Sequence, residues 1–225
     1  MNGLTKRLAA RAEALVLAVF SAGAFTPLVM LGQPNVNPAT QVAAAVLPLP
    51  ESMRAGATVV SHAEGGKYTV LRKGSNEMVC IDEPTEGQGR GYPAGTPTFW
   101  VHCYHESIFG VLKRRAELRQ EFLRAGKTPD VKMLDNAVDA EIKAGKLKLP
   151  SHPTMGFQMR GPLSGYNQAT NSVTSEIMAW QMVIIPYATG ASLSLPEERK
   201  EGMPWVMDSG AWGAHIMIEQ TKQGK

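Results

Sequence analysis

Short runs of β-branched and apolar residues, broken by turn-forming clusters, dominate residues 58–82. Thr58-Val59-Val60, Tyr68-Thr69-Val70-Leu71 and Met78-Val79-Cys80-Ile81 are separated by Glu64-Gly65-Gly66-Lys67 and Gly74-Ser75-Asn76. Such turn clusters between β-rich runs are the hairpin signature and predict a β-meander here. A loop over 84–97 follows, with glycines at 87, 89, 91 and 95. Residues 98–104 then read as another strand. Alternation puts Phe99, Val101 and Cys103 on one face and Trp100, His102 and Tyr104 on the other. A strand carrying Cys103 that pairs with the one carrying Cys80 brings the two sulfurs within reach.

The apolar spacing next lengthens to the helical period. Ile108, Val111, Leu118 and Phe122 form a stripe on a helix expected over 107–125, with Ser107 as N-cap and Gly126 as its stop. A second helix is expected to open with Thr128 as N-cap and Pro129 in its first turn. Its stripe is Val131, Leu134, Val138 and Ile142, it ends at Gly145, and Asp139 and Lys143 make an i,i+4 pair. Further strands are expected over 156–159, 177–185, 205–207 and 215–218, among glycine, proline, asparagine and serine. Strands, two helices and strands again indicate an α+β fold: a mainly antiparallel sheet with two consecutive helices packed on one face.

The amino terminus reads differently. Lys6, Arg7 and Arg11 precede an apolar run over 14–25, and Ala22 and Ala24 match the small-residue pattern of a signal-peptidase site. Residues 1–24 are therefore expected to be a signal peptide. The alternative is an N-terminal anchor, because apolar character resumes at Leu28, Val29, Met30 and Leu31 and the stretch approaches the roughly 20 residues a spanning helix needs. Either reading places the bulk of the chain outside the cytoplasm, in the periplasm or secreted. Residues 25–51, with prolines at 34, 38, 48 and 50 in the uncharged stretch 33–50, suit an extended linker, and 52–225 a single α+β domain.

Charge narrows the partners. Removing residues 1–24 takes away three basic groups and one acid, leaving 20 Lys+Arg against 19 Asp+Glu. A near-neutral chain argues against nucleic acid, whose phosphates need clustered cations. The one concentrated patch is on the first long helix, where Lys113, Arg114, Arg115, Arg119 and Arg124 could meet anionic lipid headgroups or could simply form a solvated face. Cys80 and Cys103 are the only cysteines. In an oxidising compartment they are read as one bridge, with two separate buried thiols as the alternative.

Candidate chemistry gathers at His102-Cys103-Tyr104-His105-Glu106. Imidazole and carboxylate are ligands for zinc and related divalent metals, so His102, His105 and Glu106, with His215 as a distant fourth, form a candidate metal set. The spacing is not that of a helical HExxH site. The structural alternative packs His102 beside Trp100 and Tyr104 and uses His105 and Glu106 at the helix start, where a carboxylate complements the dipole. Gly87-Gln88-Gly89-Arg90-Gly91 lacks the helix that a dinucleotide-binding turn requires. Ser164 lacks nucleophile-elbow spacing, and Asp208-Ser209-Gly210 with His215 contains triad residue types without triad geometry.

His102-Cys103-Tyr104-His105-Glu106-Ser107 running into the basic helix, together with Gly161-Pro162, Pro186-Tyr187-Ala188-Thr189 and Ala214-His215-Ile216-Met217, resembles a group of uncharacterised exported bacterial proteins. The resemblance spans roughly residues 54–219. That group has no assigned activity, so the likeness implies export and a shared fold and transfers no catalytic residue. A binding or structural module of the periplasm or outer surface is the expected function. The alternatives are a metal-dependent hydrolase using His102, His105 and Glu106, and a membrane-surface protein docking through the basic helix.

Overall fold

Eight strands join in one sheet whose central runs, residues 98–103 above all, bury side chains toward both faces. The structure is a computed structural model and describes residues 37–82 and 97–220. The expected signal segment, the linker up to residue 36 and the glycine-rich loop 87–91 lie outside the described residues. The strands are β1 (Thr58–Ala63), β2 (Lys67–Arg72), β3 (Met78–Asp82), β4 (Thr98–His105), β5 (Thr154–Pro162), β6 (Tyr166–Asn167), β7 (Ser172–Val173), β8 (Met178–Ile184), β9 (Trp205–Met207) and β10 (His215–Glu219). The helices are α1 (Pro38–Ala45), α2 (Glu51–Arg54), α3 (Glu106–Arg124), α4 (Val131–Lys143) and α5 (Gly190–Leu193). The sheet order is β2-β1-β3-β4-β5-β8-β10-β9, and β6 and β7 form a separate ribbon. The fold is α+β, with every pairing antiparallel except that of β1 with β3.

That exception corrects the expected meander. β3 does not fold back on β2. It lies parallel to β1 on β1's other side. The connection crosses the start of β1 closely, with the amides of Ser75 and Asn76 both donating to the Gly56 carbonyl, at 2.7 and 2.9 Å. A side chain at Gly74 would stand 2.3 Å from that carbonyl oxygen, so only glycine permits the crossing. Turn residues signal a reversal without saying on which side the next strand pairs.

The register sorts side chains into two faces. Val59, Cys80, Cys103 and Phe157 run in a row across β1, β3, β4 and β5. Cys80 and Cys103 are bonded, with Cα atoms 4.0 Å apart. This face is covered by Ala45, Val46 and Leu49. The segment expected as a linker is therefore a packed layer from Pro38 onward. Asn37 caps α1 by accepting from the Ala39 amide at 2.9 Å, and Pro38 opens the helix. The turn after α1 is fixed by Arg54, which donates to the carbonyls of Leu49 and Leu47 at 2.9 and 3.0 Å. Prolines that suggest a linker by composition here start a helix and shape the turns that follow it.

On the other face run Val79, Tyr104, Gly156, Met182, Met217 and Trp205, and beside them Ile81, His102, Gln158 and Trp180. The α3–α4 pair packs on this side, sharing a cluster of Ile108, Val111, Leu118, Leu134 and Val138 with Ile184 and Trp212. Both helix starts differ from expectation. α3 is capped by His105, whose ring accepts from the Ser107 amide, and α4 by Asp130, whose carboxylate accepts from the Met133 amide at 2.7 Å. α3 begins at Glu106, so Ser107 already lies inside its first turn, and α4 begins at Val131, past Thr128. Val131 is mostly exposed, so the buried stripe of α4 is narrower than its apolar spacing suggests.

Candidate functional site

The expected metal set divides at β4. Alternation turns His102 toward the α3–α4 face, edge-on to Trp100 and Tyr104 at centroid distances of 4.9 and 5.5 Å. Its Nδ1 lies 3.1 Å from the Tyr104 hydroxyl. His105 leaves the strand on the opposite side. Its Nδ1 accepts from the Ser107 amide and lies 2.8 Å from the Ser107 hydroxyl, which puts the ring proton on Nε2. From there it donates to Glu77 Oε2 at 3.1 Å. Glu106 is the first residue of α3, its amide donating to the Glu77 carbonyl at 2.7 Å and its carboxylate exposed beside the helix dipole.

His215 sits on β10, three strands from β4 in the sheet order, or about 14 Å at the usual spacing. Its Nδ1 is 2.8 Å from the Gly213 carbonyl and 4.0 Å from Asp208 Oδ2. A carbonyl only accepts, so Nδ1 carries a proton. Among the described residues, no three His, Cys, Asp or Glu side chains converge on one metal position. His102 and His215 nonetheless line one cleft, while His105 and Glu106 lie outside it.

That cleft lies between the sheet and the α3–α4 pair and has a volume of about 670 Å³. This falls in the range typical of small-molecule sites, roughly 300–1,000 Å³. Trp100, Trp180, Trp205 and Trp212, all the tryptophans of the chain, line it. Each is more than nine-tenths buried. β4, β8, β9 and the turn before β10 each supply one, so the wall exists only after the sheet has formed. Met182, Met217 and Met207 add polarisable apolar surface to it. The indole N–H groups of Trp100, Trp180 and Trp212 have no acceptor among the described residues.

Charge enters the cleft from both layers. Arg160, on β5, holds its guanidinium 4.9 Å above the Trp100 ring. Arg115, on α3, donates to Asp135 of α4 at 3.0 Å. Arg119 lines the cleft from an exposed position. The rest of the basic helix is partly neutralised. Arg114 donates to Glu141 at 2.8 Å and to Glu121 at 2.7 Å, and Lys113 pairs with Glu117 at 3.9 Å. The Arg114 hydrogen bonds hold the Glu121 and Glu141 carboxyls below their ordinary range and raise the guanidinium's own pKa. Of the expected membrane-facing residues, Arg114 and Arg115 are thus each engaged by a carboxylate of α4, Glu141 and Asp135.

The hydroxyl candidates are engaged elsewhere. Ser209 donates to Glu197 Oε1 at 2.6 Å, and that carboxylate also accepts from the Gly190 amide at 3.0 Å. The Ser209 bond, aided by the Gly190 amide, depresses the Glu197 pKa. Asp208, Ser209 and His215 therefore do not form a relay. Ser164 sits in a single 3₁₀ turn, Leu163–Gly165.

Sequence reasoning placed Trp100 on the His102 face but did not gather the four tryptophans. The parity of Trp180, Met182 and Ile184 on one strand carried part of that signal. The joining of β4 to β8 and β9 across the sheet did not lie in any local pattern. No protein-family model matches the chain, nor does any curated protein or solved structure, so the functional reading rests on the cleft itself.

Proposed function

We propose that the chain is an exported binding protein whose small-molecule ligand occupies the aromatic cleft. One observation carries the reading: all four tryptophans line a single cavity of ligand size, together with two histidines and three arginines. Concave, mainly apolar sites with a few polar groups are where small ligands bind. Export is supported by the Cys80–Cys103 bridge and by the amino-terminal pattern of charge and apolar residues. Among the described residues no helix is long and apolar enough to cross a membrane. The metal-dependent hydrolase is less favoured, since His102 and His105 leave β4 on opposite sides.

The test uses the tryptophans as reporters. A library of aromatic, aliphatic and sugar compounds is titrated against the full chain, exported so that its bridge forms, and indole emission is followed. A Cβ added at Gly213, which lines the cleft, would meet no atom within 4 Å. Gly213→Trp is the obstructing variant, with its folding checked by circular dichroism. Saturable quenching that weakens at least tenfold (about 1.4 kcal/mol) in that variant is expected. If no compound quenches saturably, or the obstructed variant binds as well, the reading fails.

A further inference from the structure

We infer that the ligand is a planar apolar molecule bearing a carboxylate or similar anionic head, with the head at the Arg119 end of the cleft. This rests on the cleft being a binding site and adds the class of its occupant. The indole N–H groups of Trp100, Trp180 and Trp212 are closed off from the cleft space, so the tryptophans offer an occupant ring and edge carbon surface, which suits a planar apolar body.

The charges place the head. Two carboxylates line the cleft, Asp135 and Asp208. Asp135 is already held by Arg115 at 3.0 Å. Asp208 follows β9 at one edge of the sheet and lies 4.0 Å from His215. Arg119 has no carboxylate partner among the described residues. Its stretch of α3 packs on the turn between β1 and β2, where the Ala116 carbonyl and Gln120 meet Gly66. That turn belongs to the other edge, so the negative Asp208 and the positive Arg119 polarise the cleft lengthwise. A guanidinium at a cleft rim recognises carboxylate by paired N–H donors, with the apolar body of the ligand directed along the tryptophans.

Calorimetry with 2-naphthoate and its neutral amide, 2-naphthamide, tests the assignment on the full chain. The two probes share size and aromatic body and differ in charge. Naphthoate is expected to bind about tenfold more tightly, as one charge-assisted contact would give. Arg119→Ala should abolish that preference, bringing the naphthoate and naphthamide affinities to about the same value, and Arg119→Lys should restore part of it. Equal affinities, or a preference that survives Arg119→Ala, overturn the anionic head and leave the cleft reading in place. Binding of neither probe, while a neutral library compound still quenches the tryptophans, also overturns only the inference. Binding of nothing at all overturns both.

Discussion

The Tyr187 hydroxyl donates a 2.7 Å hydrogen bond to Asp139 Oδ1, tying the loop after β8 to the middle of α4. Tyr187 holds this position with φ of 63°, a left-handed conformation that bulky side chains rarely adopt. The contact therefore helps to fix strained backbone and joins the helix layer to the loop that leads into α5. Burial, and then the Asp139 hydrogen bond, push the Tyr187 phenol from its ordinary 10.0 up to about 12.

Tyr187→Phe keeps the ring and removes only this bond. A loss of about 1 kcal/mol is expected, since both groups are partly solvated, read as a Tm lower by about 2–4 °C. Because the folded pKa is raised, the bond's contribution is complete below pH 10 and disappears as pH rises toward 12. Ultraviolet difference titration of wild type against the variant should show the missing phenol ionising near 12. Ionisation near 10 would show that the bond does not form in solution.

A second pH dependence has the opposite sign. Arg114 is clasped by Glu121 and Glu141, whose carboxyls are lowered from 4.5 mainly by its hydrogen bonds. A depressed folded pKa contributes stability above the unfolded value and loses it as pH falls through the folded one. The α3–α4 contact should thus weaken below about pH 4.5, the ordinary carboxyl value. Replacing Glu141, the less exposed of the two, by Gln should cost about 1 kcal/mol at neutral pH and flatten the acid limb. Urea unfolding at pH 7 and pH 3 measures both effects, and equal losses at the two pH values would count against the ion pair.

How far the sequence reaches can be seen in single residues. Alternation on β4 correctly separated Cys103 from His102, because a strand's period is fixed by covalent geometry. The Cys80–Cys103 bridge was expected from the oxidising compartment, and the antiparallel pairing of β3 with β4 brings the two sulfurs together. Asn37-Pro38 carries the cap-then-proline signal that was read in Thr128-Pro129, yet the surrounding prolines favoured a linker. The side on which β3 pairs, and the meeting of Trp100 with Trp180, Trp205 and Trp212, depend on contacts between distant segments. No local preference encodes those.

The packed α1 layer makes a direct forecast for Leu49, which is 1% exposed on the bridge side of the sheet. Leu49→Ala should destabilise by about 2–5 kcal/mol, the range for large-to-small changes in a core. A true linker would tolerate it within about 0.5 kcal/mol, the usual scatter of surface changes. Chemical denaturation of the two proteins decides between these outcomes.

The same layer should protect the disulfide. Cys80 and Cys103 are fully buried, and Cys103 Sγ lies 3.4 Å from the Ala45 carbonyl at the end of α1. A thiolate must reach one sulfur along the bond before it can be reduced, so folded protein should react only when α1 lifts. Leu49→Ala loosens that layer and should speed reduction by dithiothreitol under native conditions at least tenfold. The paired Cys80→Ala and Cys103→Ala variant removes the cross-link and should cost about 3 kcal/mol by the chain-entropy relation for a loop of this size. If wild type and Leu49→Ala are reduced at equal rates, opening of α1 does not control access, and another route to the sulfurs must exist.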